Sequence, residues 1–484
     1  MGEVVVIGAG LGALAGAARL AASGQRVTVY ERGETYGGGV RRRTRDGFGF
    51  DTGPALLHLP AVWRDLFVKT GKQPLERCVR LRQVDPGARH VFADGGEVTL
   101  PAASRSGTLR ALDGALGAGA GQRWAEVLVR ARTVWDATRR PLLEEPRTGT
   151  EPLPGDPYPA VRRRGLLRRR PPTLAEVAAD ELKDPRLAAL LESYALAHGL
   201  DPRTAPASAT VLAYLEQTFG AWSVEGGLRA LADAVHRRCE ERGVRFVFGT
   251  DVTEPLVAGG RVRGVRLADG TEVPADTVLD GGCPHREQAP GRARLTLLLA
   301  LRGARPADAA HRTVVHTADR DAELAALFGG VEPATAPTVT VYRPGDPTGV
   351  PDAQHEAVTV TATVPPHGPL DWTDAARADA WTRRLLDAAA RAVPDLGERL
   401  LWHERHTPAD AARETGVPGG AVPVPALAGT GREASRPVPN LGAVEGWYAL
   451  GGWAHPGGGL AHAGMSGALV AGLVTEGREW RGSR

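Results

Sequence analysis

The chain has 484 residues, 42% of them apolar and 24% charged, which is enough for roughly three domain-sized units and a large core. A net charge of +3 is close to neutral for this length and argues against nucleic acid as a partner. Cys78, Cys239 and Cys283 are far apart with no CxxC pair, which excludes a disulfide framework or a cysteine metal site and makes a reducing cytoplasm the expected setting.

The opening stretch "MGEVVVIGAGLGALAGAARLAASG" is apolar, but it lacks a basic start, carries Glu3 and is broken by glycines, so it reads as neither a signal peptide nor a membrane span. No other stretch reaches about 18 uninterrupted apolar residues. Val4 to Ile7 has the β-branched run of a strand buried on both faces, and Leu14 to Ala22 reads as a helix. Between them stands the G-x-G-x-x-G/A pattern of Gly8, Gly10 and Ala13. Gly8 permits the tight turn, Gly10 lets a pyrophosphate approach the backbone, and Ala13 lets the helix pack closely on the strand. A second strand, Arg26 to Tyr30, ends in Glu31, placed to accept hydrogen bonds from ribose hydroxyls. Strand, turn, helix, strand and acid in that order predict a Rossmann-like α/β nucleotide-binding domain, a fingerprint that NAD and FAD share. The "GAGAG" of Gly117 to Gly121 has no buried strand before it and reads as a flexible loop.

Further along, "ERGETYGGG" from Glu31, "GFGFDTGPALLHLPAVWRDLF" from Gly47, the segment Tyr194 to Val235 ending in the pair Gly226 and Gly227, and "GWYALGGWAHPGGGLAHAGMSGALVAG" from Gly446 resemble the bacterial phytoene desaturase family, flavoproteins related to amine oxidases. The resemblance anchors both ends and the middle of the chain. It implies FAD rather than NAD, with Gly8, Gly10, Gly12, Ala13, Glu31, Arg32, Gly37 and Gly38 holding the adenosine and diphosphate. By the same resemblance, Val252 meets the adenine through its backbone, Gly53 and Pro54 approach the flavin, and Gly451, Gly452, Gly459, Met465 and Ser466 belong to the C-terminal flavin motif. Two departures stand out. The family usually has arginine after the glycine pair, where this chain has Gly39 with Arg41 as a substitute, and it commonly has glycine and threonine at Trp453 and Ala454.

Between these anchors, Leu228 to Glu241 has helical spacing, and the stretch that follows alternates short strands with turns at Gly259-Gly260 and Asp269-Gly270. The expected FAD-binding domain is therefore discontinuous, built from 1–85, 222–290 and 436–484. Two insertions form the substrate side. Residues 86–221 are expected to be largely helical, with Leu109 to Thr138 and Leu174 to Tyr214 as the best segments. Residues 291–435 are expected to mix strands (Thr338 to Tyr342, Ala357 to Val364) with a helix near Ala375 to Val393.

The first insertion holds arginines at 162–164 and 168–170 around Leu166 and Leu167. This run Arg162–Arg170 is suited to an anionic membrane surface, where each nearby charge is worth about 1 kcal/mol, and equally to a solvated loop. The "HERH" of His403 to His406 has no carboxylate-rich helix or further partner beside it, so no metal is expected. Trp222, Phe219, Trp453 and His455 are candidates to line a substrate channel, expected to be apolar with Leu212 and Leu215. Catalytic residues stay open; Asp136 and Glu216 are candidates for a base by residue type alone.

The activity implied is an FAD-dependent oxidoreductase that introduces double bonds into a long isoprenoid (carotenoid) hydrocarbon. Hydride passes to flavin N5, and the enzyme works in the cytoplasm at the inner face of the cell membrane. Alternatives within the same scaffold are a flavin amine oxidase, a carotenoid isomerase or saturase, and a non-enzymatic prenyl-binding protein of the GDP dissociation inhibitor type.

Overall fold

The strand Glu3–Ile7 is the centre of a five-stranded parallel sheet. It pairs with Arg26–Tyr30 on one side, with Val4 beside Val27, and with Thr277–Asp280 on the other, with Val4 beside Thr277. Arg245–Val247 and Trp447–Ala449 complete the edges. The computed structural model describes residues 2–149, 152–160, 170–282, 291–330, 336–430 and 437–482. Strands from the start, middle and end of the chain thus meet in one α/β Rossmann-like layer.

Its helices follow from the same patterning. Leu11–Ala22, small and apolar all round, is buried along almost its whole length. It packs against the C-terminal helix Leu460–Glu476 at a crossing made by glycine: a Cβ on Gly12 would stand 2.7 Å from the Gly451 Cα and 2.9 Å from the Ala463 carbonyl, and one on Gly467 would stand 2.5 Å from the Gly12 carbonyl. Leu228–Glu241 matches its expected limits, with Leu231, Ala232 and Val235 turned into the core. The meander after it is also as expected, with antiparallel strands Val252–Ala258, Arg261–Leu267 and Glu272–Pro274.

A second, seven-stranded sheet runs in the order Leu400–His406, Ala293–Arg302, His355–Val364, Val339–Tyr342, Arg312–Val315, Ala88–Val91, Glu97–Leu100. The last two strands come from the region expected to be helical. Their hairpin covers the edge of Arg312–Val315, pairing in parallel with it, and so removes an open row of hydrogen-bonding groups. The expected single segment Leu109 to Thr138 is two helices, Arg105–Leu116 and Ala120–Arg139, because Gly117 and Gly119 take φ of 100° and 85° between them. Leu174 to Tyr214 divides likewise into Leu174–Val177, Pro185–Ala197 and Thr210–Phe219, with lesser turns between them. No described helix is long and apolar enough to cross a membrane.

Candidate active site

A cavity of about 710 Å³ lies between the two sheets. Its wall on the parallel-sheet side is mostly backbone. Gly8, at φ +83°, turns the chain out of the first strand and donates its N–H to the Tyr30 carbonyl at 2.7 Å. A Cβ at Gly8, Gly10 or Gly39 would meet nothing within 4 Å, and all three positions line the cavity. Glu31 braces this loop, accepting from the Ala9 N–H at 2.7 Å and the Gly33 N–H at 2.8 Å.

Two helices begin at this wall. Leu11–Ala22 starts after Gly10 and Leu460–Glu476 after Gly459, and neither N-cap has a side-chain cap. Their first-turn N–H groups are directed at the cavity, a donor set suited to a diphosphate at one end and the polar edge of a ring at the other. An extended dinucleotide therefore fits the cradle.

The lining contains Gly8, Gly10, Gly12, Ala13, Glu31, Arg32, Gly37, Gly38, Gly53, Pro54, Val252, Gly451, Gly452, Trp453 and Gly459. Arg41 lines it too, with Nε on the Gly38 carbonyl at 2.9 Å and a second nitrogen on the Glu414 carbonyl at 2.8 Å, beside the open backbone of Gly39.

Five expected site residues lie elsewhere. Ser466 is buried behind the C-terminal loop, where its hydroxyl donates to the His455 carbonyl at 2.8 Å and accepts from the Gly451 N–H at 3.1 Å. It shapes the loop that lines the cavity. His455 is 1% exposed, with Nε2 3.1 Å from the Glu145 carbonyl; burial lowers its pKa to about 4. Met465 is half-buried on the helix, off the lining. Phe219 points outward against Trp135 and Tyr214, and Trp222 is a strand residue whose indole donates to the Phe219 carbonyl at 3.3 Å under Arg64. Position, not type, turns these two rings away: Phe219 ends the helix Thr210–Phe219, and Trp222 sits in the strand Ala221–Val224.

The seven-stranded sheet supplies the opposite wall, and there the expected apolar channel needs correction. Cross-strand register aligns His406, Thr296, Thr361, Thr340, Val314 and His90 in one row across six strands, all on the cavity. Five inter-strand steps of about 4.8 Å make the row roughly 24 Å long. At one end His406 meets Glu414 at 3.2 Å, close to the Arg41 contact with the same residue. Toward the other, Arg312 grips both oxygens of Glu216, one at 2.7 Å, and the Tyr194 hydroxyl donates to Glu216 at 3.3 Å. His58 Nε2 stands 3.8 Å from the same carboxylate. Burial alone would raise the Glu216 carboxyl, but Arg312 overcomes it and holds the group below its usual range. Burial lowers the His58 ring, takes His462 to about 4 and His198 to about 3, and with His316 puts His90 well below its ordinary value. These four rings are uncharged at neutral pH. Leu212 and Leu215 do line the cavity as expected.

Of the two carboxylates expected by type, Glu216 faces the cavity, whereas Asp136 is an exposed partner of Arg132. His58, His90, Tyr194, Arg312 and the threonines escaped the sequence reading. The alternation Thr359, Thr361, Thr363 in "AVTVTATV" is the one signal that marks a polar sheet face. The HERH segment is the strand Leu400–His406, and among the described residues no group of three or more His, Cys, Asp or Glu converges for a metal. The basic run lies outside the described residues except for Arg170, which pairs with Glu176.

Residues 14–279 match the family described as flavin containing amine oxidoreductase. Over 499 residues the chain is 30% identical to a hydroxyneurosporene desaturase of Rhodobacter capsulatus, covering 97% of each. It is 28% identical over 514 residues to the neurosporene-forming phytoene desaturase of the same organism, covering 98% of this chain and 94% of the relative. Among solved structures, putrescine oxidase bound to putrescine superimposes with a TM-score of 0.63 at 15% identity, over 98% of this chain and 99% of that one, a likeness of fold.

Proposed function

This chain belongs to the flavin containing amine oxidoreductase family, and on that premise we propose that it introduces double bonds into a long carotenoid-type isoprenoid. It is an FAD-dependent oxidoreductase. The observation that carries the substrate reading is the length of the cavity wall: a row of roughly 24 Å on the second sheet suits an extended polyene chain laid across it. FAD, when bound, supplies the acceptor for a hydride. In this reading the glycine loop, the Arg41 region and the Gly451–Trp453 turn hold it, Leu212 and Leu215 exclude water, and the sheet orients the chain.

An amine substrate is the second reading within the family. Against it, Glu216 is already neutralised by Arg312 and so offers an ammonium no free partner. A prenyl-binding protein without redox activity would show no flavin absorbance on purification. The deciding experiment is anaerobic incubation with acyclic carotenoids in liposomes, and with amines in parallel, following flavin bleaching. Bleaching by the carotenoid supports this reading; bleaching by amines alone defeats it. Because such a substrate dissolves in lipid, we place the enzyme at the cytoplasmic face of a membrane, with Arg162–Arg170 as the contact, to be tested by sedimentation with anionic vesicles.

A further inference from the structure

His58 ends a stretch of chain in which Gly53, Pro54, Ala55 and Leu56 all line the cavity, and it is the second residue of the strand Leu57–His58. That strand packs on the helix Leu460–Glu476, and the ring of His462, in the helix's first turn, feels the charge of His58. His58 thus stands where the two segments expected to approach the flavin meet. Its side chain keeps 42% of its surface open and lines the cavity, whereas that of Glu216 keeps 11%. Arg312 grips both Glu216 oxygens and the Tyr194 hydroxyl donates to one, so this carboxylate has little capacity left to take a proton. His58 Nε2 lies 3.8 Å from Glu216, beyond hydrogen-bond reach but near enough for the carboxylate to favour a charged ring, and a backbone hydrogen bond with Gly220 acts in the same direction. The other two rings on this part of the lining are placed less well. On His462 the neighbouring charge is His58, and on His198 Arg294, His462 and His58 oppose a charge ahead of the attraction to Glu216.

We propose that His58 is the proton acceptor of the desaturation and that Glu216 is the positioning residue that stabilises its charged ring. This rests on the carotenoid reading above. The hydride leaves one saturated carbon for FAD, the proton leaves the neighbouring carbon for the unprotonated ring nitrogen of His58, and the electron pair of that second C–H bond becomes the new double bond. Positive charge building on the first carbon acidifies the second C–H, so a base as weak as neutral imidazole suffices. Burial lowers the ring from its ordinary 6.5, which keeps His58 unprotonated and competent at neutral pH. Hydride and proton enter the site together, so its net charge does not change, unlike the entry of an ammonium. The ring passes its proton to water as the product leaves.

The test presents an acyclic carotenoid in phosphatidylcholine liposomes to the flavin-loaded protein under anaerobic conditions and follows flavin bleaching. His58→Gln should slow bleaching about a hundredfold or more. Flavin content and polyene binding, read by quenching of tryptophan fluorescence, should stay within about twofold. Imidazole added to His58→Ala should raise its rate at least about tenfold. In the wild type the rate should rise with pH through an inflection below 6.5, because the base works unprotonated. The groups facing the ring are Glu216 and Arg312, with His198, His462 and Tyr194 around them, while the paired strand Ala221–Val224 brings no titratable group. NMR of protein labelled with 15N-histidine, assigned by the signal missing from His58→Gln or His58→Ala, should show His58 titrating at that same inflection. Glu216→Gln should move this titration to lower pH. Bleaching by His58→Gln within about threefold of the wild-type rate, no rescue by imidazole, or a His58 titration that Glu216→Gln leaves in place overturns the assignment and leaves the carotenoid reading intact. Should His58→Gln not fold, imidazole rescue and the wild-type profile still decide, and a rate independent of pH between about 5 and 7.5 overturns the assignment. Bleaching by amines alone overturns both.

Discussion

The two walls of the cavity are made in opposite ways. On the parallel-sheet side, selectivity comes from backbone: glycines with open space in front of them, and two helix starts without side-chain caps. On the seven-stranded side it comes from side chains that six strands bring together: His406, Thr296, Thr361, Thr340, Val314 and His90. The helix crossing behind the backbone wall, at Gly12 and Gly467, tolerates almost no added atom. The side-chain wall tolerates changes in volume but fails when a charge is left alone.

The sharpest break in this contrast is Gly12→Val. The added carbons would strike the Gly451 and Ala463 backbone, which cannot move aside, so a loss of about 3 kcal/mol or more is expected. The measurement is the flavin absorbance of the purified protein, and retention of full flavin would disprove the close crossing.

Next in size is Arg312→Met on the other wall, which strands the mostly buried Glu216 carboxylate and should cost about 3 kcal/mol in denaturant unfolding. Adding Glu216→Gln to it should restore much of that loss; a double variant as unstable as the two losses combined would show that the pair does not act as a unit.

A smaller effect tests the junction between the walls. Burial raises the Asp51 carboxyl to about 6 from an ordinary 3.8, although it accepts the Leu228 N–H at 2.8 Å. The fold therefore prefers its protonated form, and the stability this adds is complete below the ordinary value and lost as pH rises through about 6. Asp51→Asn should remove a fall of about 2–3 kcal/mol between acid and neutral pH, seen as a melting temperature that no longer drops relative to wild type. The smallest effect is expected of Phe219→Ala: the ring is turned away from the cavity, so turnover should stay within about twofold. A large loss of turnover would return Phe219 to the channel.

The same contrast explains what could be read from the residues in advance. Gly8, Gly10, Ala13 and Glu31 are legible because a tight turn, a close approach and a ribose acceptor each demand a particular residue at a fixed spacing within one βαβ unit. The helix Leu228–Glu241 was legible from periodicity, and the meander from its Gly-Gly and Asp-Gly turns. No local pattern links His90 to Val314 or Glu216 to Arg312. The first pair exists only through strand register, where a slip of one residue would turn both side chains to the other face, and the second joins a residue of the helix Thr210–Phe219 to a strand residue 96 positions away. Trp222 and Phe219 misled because residue type suggested a channel, whereas a place in the strand Ala221–Val224 and at the end of the helix Thr210–Phe219 sent the rings elsewhere.

The glycine crossing between the helices Leu11–Ala22 and Leu460–Glu476 also bears on how the molecule comes into being. During translation the first strand and helix emerge some 450 positions before their last packing partner, which at roughly 15 residues per second is about half a minute. Throughout that interval the apolar N-terminal segment has neither its closing helix nor the sheet edge at Trp447–Ala449. The cradle, lined by the starts of both helices, is therefore complete only once the helix Leu460–Glu476 has been made, so full cofactor binding follows synthesis of that C-terminal helix.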